Sequence, residues 1–241
     1  MYQLSGPSAA LRNIALSADG KWIAAASYLP ASLVLLSGET LEPVKVFDVA
    51  DAKKTPSRVS AVYQAPGRTS FIAALKDVPE VWEIATDPAA PPVHPGLVHS
   101  HEKGMVEALA TASGLFALRR IEVEEPIDDF FFDTGYRHLL GAARDGGKAL
   151  VVNLNVGRTV ATVPMPGMPH LGSGISFDWQ GRRVIAAPHL NEGRISIIDA
   201  TDWRVLRTIE TSGPGFFLRS HENSPYIWAD AMMGKARDGM Q

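Results

Sequence analysis

Apolar residues in this chain fall into strand-length runs divided by Gly- and Pro-containing turns, and the plan repeats. SADGKWIAAASYLPASLVLLSGETLEPVKVFDV (17–49) reads as a turn, an apolar run, a second run SLVLL, a short turn and a third run. QAPGRTSFIAALKDVPEVWEI (64–84) repeats this with a turn at Pro66-Gly67, a strand SFIAAL, a turn at Lys76-Asp77 and a strand EVWEI. FDTGYRHLLGAARDGGKALVVNLNVGRTVATVPM (132–165) is a third copy, with RDGGK as its hairpin. FDWQGRRVIAAPHLNEGRISIIDATDWRVLRTIET (177–211) is a fourth, in which NEG takes the hairpin's place, and a fifth begins at SHENSPYIWADAMMG.

The glycine that opens each copy sets the period. Gly20 and Gly67 are 47 residues apart, and Gly135 and Gly181 are 46 apart. The step from Gly67 to Gly135 is 68, one period plus an excursion at 94–120 that lies between blades and holds the only candidate short helix, 104–112. A repeat of 40–50 residues with several short strands predicts an all-β fold, a β-propeller. A parallel α/β fold would need helices of about 10–15 residues between strands, and the pattern lacks them. A β-sandwich would not repeat at so steady an interval.

The chain holds about four blades and part of a fifth. Its last residues, KARDGMQ, read as a turn entering a further strand. An open array leaves unpaired edges. The expectation is therefore a partial propeller, 1–241, truncated at both ends.

Composition narrows the function classes. The chain has 241 residues, 46% hydrophobic and 20% charged, which is ordinary for a globular protein with a substantial core. A net charge of −3 gives no reason to expect nucleic acid or an anionic membrane as partner. Cysteine is absent, which removes disulfides, thiolate metal sites and c-type haem attachment within this chain. No apolar run reaches the ~20 residues that cross a bilayer, so membrane insertion is not expected. MYQLSGPSAALRNIALSADG lacks the features of a signal peptide, and taken literally it reads as cytoplasmic; in a fragment, such a leader could have been lost.

Candidate chemistry centres on three histidines in Gly/Pro-rich turns: His170 in PGMPHLGSG (166–174), His189 in AAPHLNEG (186–193) and His221 in SGPGFFLRSHENS (212–224). Set on successive repeats, they could ligate a metal, act as general acids beside a cofactor, or hydrogen-bond a neighbouring turn. Arg12 and Arg58 precede apolar strands in equivalent places, and Arg219 lies two residues before His221. Lining a channel, guanidiniums suit a ligand with several carboxylates; the alternative is a rim salt bridge. PIDDFFFD (126–133) offers a carboxylate pair, Asp128 and Asp129, but reads as a buried strand opened by a polar turn. His94, His99, His101 and His138 read as solvated. No nucleophile elbow, P-loop or Rossmann turn occurs.

At GETLEP (38–43), SRVSAV (57–62), MPHLGSG (168–174), PHLNEGRISII (188–198) and GPGFFLRSH (213–221) the chain resembles the d1-haem propeller of cytochrome cd1 nitrite reductase and its relatives in d1-haem biosynthesis. The resemblance implies an eight-bladed periplasmic propeller around haem d1, with one-electron reduction of nitrite to nitric oxide. By that resemblance, His189 and His221 match the distal histidines above the iron and supply protons. They should then lie within about one hydrogen-bonded water of each other. Arg12 and Arg58 fall near the haem carboxylates, and Tyr28 falls at an aromatic position. His170 and Arg219 join the cofactor-binding set. The axial iron ligand is expected upstream of residue 1, and no metal ligand is assigned in this chain. A c-type cytochrome is the implied electron donor, c-type haem belonging to a domain not present here, and a homodimer of the full-length protein stays open. The residues 1–241 alone are expected to be inactive. MPHLGSG also looks like the biosynthetic relatives. That keeps a d1-haem biosynthesis or carrier protein as the alternative, beside a non-enzymatic interaction module.

Overall fold

The computed structural model describes residues 10–93, 112–143, 147–235 and 237–241. Two compact units divide the chain, Met1–Glu122 and Val123–Gln241. The first holds two four-stranded antiparallel sheets: β1 Leu11–Leu16, β2 Trp22–Ser27, β3 Ser32–Ser37 and β4 Pro43–Asp48, then β5 Val59–Ala65, β6 Ser70–Leu75, β7 Glu80–Ala85 and β8 Leu118–Glu122. The second unit holds two more: β9 Ile127–Phe132, β10 His138–Ala143, β11 Gly147–Asn153 and β12 Arg158–Met165, then β13 Ile175–Trp179, β14 Arg182–Pro188, β15 Arg194–Asp199 and β16 Val205–Glu210. A two-stranded sheet, β17 Leu218–Ser220 with β18 Ile227–Ala229, follows. The fold is all-β, and each sheet runs in chain order as a propeller blade does.

Burial explains the strand pattern. The second strands WIAAAS, SFIAAL, HLLGAA and RRVIAAP each carry adjacent small residues in their second half, where a neighbouring strand can come close. At Gly141 an added Cβ would stand 2.7 Å from Ile127 Cδ1. In the N-terminal unit, Leu33 and Leu35 of the first blade share one cluster with Phe71, Leu75, Trp82 and Ile84 of the second. Outer strands are paired on one side only, and β16 is exposed along its whole length.

Third strands end in a recurring polar turn. Ser37 Oγ accepts from the backbone N–H groups of Glu39 and Thr40, and Asn153 Oδ1 does so from Asn155 and Val156. Asp199 Oδ1 repeats it with Thr201 and Asp202. Four residues on, the chain turns left-handed, at Leu41 (φ 60°), Gly157 (φ 70°) and Trp203 (φ 63°). Gly157→Ala should therefore lower stability by about 1 kcal/mol, read as a lower denaturant midpoint. An unchanged midpoint would show that this turn carries no such strain.

Two expectations need correction. Each copy read from the sequence began at the turn between first and second strands, so the blades start one strand earlier. The excursion at 94–120 also lies within the second blade rather than between blades. Val93 bridges Ala112, and Leu118–Glu122 pairs with β7 as the fourth strand. Residues 94–111, which include His94, His99, His101 and most of the candidate helix 104–112, lie outside the described residues, as do 144–146 of the RDGGK hairpin. His138 is not simply solvated. Its Nδ1 is 2.9 Å from Asp133 Oδ2, its Nε2 is 3.1 Å from Asn153 Nδ2, and its ring lies edge-on to Trp203.

Candidate functional site

The first strands of three blades open with a β-bulge, at Leu11/Asn13, Val59/Ala61 and Ala142/Ala143. A bulge re-aims the side chains around it. By this register Arg12 is equivalent to Ser60 and Asp128, and Asn13 to Ala61 and Asp129. Arg58, read from sequence as the counterpart of Arg12, lies two residues ahead of that position. Asn13 clasps the next blade's first strand, donating from Nδ2 to Val62 O (2.9 Å) and accepting from Val62 N–H (3.0 Å).

The N-terminal unit does bring Arg58 and Tyr28 together, with the guanidinium 5.2 Å from the ring centroid. The Arg58 side chain also makes two hydrogen bonds to Asp77, at 2.9 and 2.6 Å, so a local carboxylate already occupies its fork. Arg12 is exposed and has no carboxylate partner among the described residues. At the opposite end of β5 from Arg58, Arg68 and Arg119 share Glu83 beside a cleft of about 420 Å³. None of the residues expected from the sequence lines it.

In the C-terminal unit the motifs around His170 and His189 are paired with each other. Pro169 bridges His189; His170 N–H donates to Pro188 O (2.8 Å) and Leu190 N–H to Met168 O (2.9 Å). His189 is the most enclosed of the candidates, with no exposed surface. Its Nδ1–H donates to Pro166 O (2.8 Å), while Ser196 Oγ–H donates to Nε2 (2.9 Å). Burial pushes the imidazole down to about 4, with the Arg194 charge acting the same way and the Pro166 hydrogen bond opposing. His189 is therefore neutral and fully engaged. The expectation of an open distal proton donor does not fit this setting, because neither ring nitrogen is available to a ligand.

His170 and His221 are placed differently. His170 Nδ1 donates to Phe216 O at 2.7 Å, its ring is edge-on to Phe216 at 4.3 Å, and Nε2 lies 3.3 Å from Asp129 Oδ2. The contact reaches from the lead into β13 to the lead into β17 on one side and to β9 on the other. His221 is exposed in the turn after β17, and its Nδ1 accepts from Asn223 N–H (3.1 Å). In the neutral ring that places the hydrogen on Nε2. Arg219 is also exposed; it donates to Leu218 O and lies 5.2 Å from the Phe217 ring centroid. It pairs across the hairpin with Trp228, so cation and aromatics share one face.

The glycines leading into Arg219 serve close packing of backbone. A Cβ at Gly213 would stand 3.2 Å from Gly234 Cα, and one at Gly215 would collide with the backbone carbonyl of Asp230. Asp230 organises this segment. Burial raises its pKa, but N–H groups of Phe216, Met232 and Phe217 outweigh that and leave it below the usual value. Among the described residues no three metal-ligating side chains cluster.

Four-stranded antiparallel blades in chain order, three of them with re-aimed first strands, define a β-propeller module. This chain belongs to the Cytochrome D1 heme domain family, whose model matches residues 7–98 and 97–241. It is 44% identical over 227 residues to the dihydro-heme d1 dehydrogenase of Pseudomonas aeruginosa, covering 94% of this chain and 41% of that protein. Against the nitrite reductase of Stutzerimonas stutzeri it is 25% identical over 236 residues, covering 91% of this chain and 38% of that one. The structure of dihydro-heme d1 dehydrogenase NirN in complex with DHE superposes with a TM-score of 0.82 at 43% identity, over 95% of this chain and 44% of that chain. The chain thus spans about two fifths of the length of these curated relatives.

Proposed function

We propose that this chain forms part of a haem d1 pocket and serves the dehydrogenation of a dihydro-haem d1 in haem d1 biosynthesis rather than the reduction of nitrite. The observation that carries this reading is 44% identity to the dehydrogenase over nearly the whole chain, against 25% to the nitrite reductase. It favours the alternative of the sequence reading over its main one.

Each unit by itself offers donors suited to a carboxylate-rich tetrapyrrole. Arg12 and Arg219 are exposed guanidiniums without a carboxylate partner among the described residues, and each can pair bidentately with such a group. Tyr28 and Arg58 offer a stacked surface whose charge Asp77 already balances in part. His221 presents an Nε2 hydrogen to a ligand acceptor, while His189 holds the scaffold from inside. When bound, haem d1 supplies the redox chemistry; these residues bind and orient it. The two electrons and two protons removed from the dihydro form leave to an external acceptor. By resemblance to the d1-haem family the compartment is the periplasm. No helix among the described residues is long and apolar enough to cross a membrane.

The test is an absorbance titration of the chain with haem d1 and with its dihydro form. Both should shift the spectrum, and Arg219→Ala should weaken binding about tenfold, as loss of a charged hydrogen bond does. With nitrite and a reductant, no nitric oxide should form above the protein-free background. Absence of any spectral change would remove the haem reading, and catalytic nitric oxide production would restore nitrite as the substrate.

A further inference from the structure

Arg58 differs from Arg12 in that its cation is already engaged. It stands one residue ahead of β5, and Asp77 stands two residues past β6. The two short segments are zipped together: Lys76 N–H donates to Arg58 O (2.7 Å), and Asp77 N–H donates to Ser57 Oγ (2.9 Å). From this turn the Asp77 carboxylate grips Arg58 at three points. Its Oδ2 accepts from the Arg58 backbone N–H (2.9 Å) and from Nε (2.9 Å), and its Oδ1 accepts from Nη2 (2.6 Å). Together these bonds fix the plane of the guanidinium as well as its place.

That group lies over the Tyr28 ring, 5.2 Å from its centroid, and Tyr28 is itself tied by its N–H to Ala10 O (2.8 Å) ahead of β1. The Arg58 side chain is still 41% exposed, so a ligand can reach it. What it offers is a flat cation whose charge is shared. A ligand carboxylate approaching the fork would come up beside the Asp77 carboxylate, and like charges a few ångströms apart repel. A conjugated face meets no such opposition, because a guanidinium stacks on π-surfaces.

We propose that Asp77 is the positioning residue of Arg58, turning it from a carboxylate clamp into a stacking plate that receives the flat conjugated body of the ligand beside Tyr28. Carboxylate pairing in this unit then falls to Arg12. The assignment deepens the haem d1 reading, on which the identity of the stacked ligand rests. It departs from the place near the haem carboxylates that the resemblance implies for Arg58.

The first arm of the test needs no tetrapyrrole. In the full chain labelled with 15N-arginine, the Arg58 Nε–H signal is assigned by its loss in Arg58→Lys. Its hydrogen exchange should be slow in the wild type and accelerate about tenfold in Asp77→Ala, as loss of a charge-assisted hydrogen bond does. That variant removes all three bonds to Arg58 and leaves the backbone contact with Ser57 in place. The second arm titrates haem d1 and its methyl ester, in which the carboxylates are capped, and reads absorbance. Lysine keeps the charge and loses the plane, so Arg58→Lys should weaken both forms by the same factor, about threefold. Arg12→Ala should weaken only the free acid. A penalty in Arg58→Lys confined to the acid would make Arg58 a carboxylate ligand and overturn the proposal. No penalty with either form overturns it too, as does fast exchange in the wild type or unmoved exchange in a folded Asp77→Ala. If that variant does not fold, the wild-type exchange and the comparison of acid with ester decide. No spectral shift with either form removes the haem reading and the stacked ligand with it, while the exchange arm still decides whether Asp77 holds Arg58.

Discussion

Replacing His189 with alanine should destabilise the C-terminal unit by about 3 kcal/mol, combining a cavity with two broken hydrogen bonds. The Ser196 hydroxyl and the Pro166 carbonyl would both lose their buried partner. The same residue should make stability depend on pH. Unfolded, the imidazole takes a proton as pH falls through 6.5; folded, it does so only near 4. The unfolded state binds more protons between those values, so stability is full above about 6.5 and declines as pH falls toward 4. Below that the slope vanishes. The integrated loss is about 3 kcal/mol. Urea titrations across this range should show the decline in the wild type, and His189→Gln should flatten it. An equally steep decline in both proteins would place the acid sensitivity elsewhere.

Gly215→Ala should be nearly as damaging, more than about 2 kcal/mol, because the clash is with backbone on both sides and cannot be relieved by a rotamer change. The added Cβ would strike the Asp230 carbonyl oxygen and stand 3.3 Å from its carbon. Moving the segment away would break Gly215 N–H to His189 O (3.2 Å) and loosen the Phe216 and Phe217 N–H bonds to Asp230. Amide exchange at Phe216 and Phe217 should accelerate with the fall in denaturant midpoint. A variant as stable as wild type, with both amides still protected, would show that these glycines are not needed for packing.

Most of the strands could be read from the sequence because apolar runs and turn residues agree there. SFIAAL is buried at every position as β6, and PIDDFFFD contains the expected strand as β9. The blade boundary was less legible. LRNIAL mixes exposed leucine and isoleucine with an exposed arginine, so turns looked like starting points. LRRIE hid as the fourth strand of its blade because an outer strand needs only one apolar side; of its residues only Ile121 is buried. The site divided in the same way. Arg12, Arg219 and His221 are exposed, whereas His189, in the Gly/Pro-rich turn of PHLNEG, is fully buried. Its burial comes from pairing with 166–170, a contact between segments about twenty residues apart that no local pattern records. Asp129 sits beside three phenylalanines that mask it in the sequence, yet its carboxylate accepts from the Gly172 N–H of the next blade.

Asp230 holds the Phe216 and Phe217 amides, the Phe216 carbonyl holds His170, and His170 meets Asp129. These contacts work as a linkage of rigid rods through the first strands of three successive blades. Pushing on any joint turns the imidazole. The effect of an Asp230 variant would therefore mimic that of a damaged His170, and only the orientation of that ring would tell the two apart.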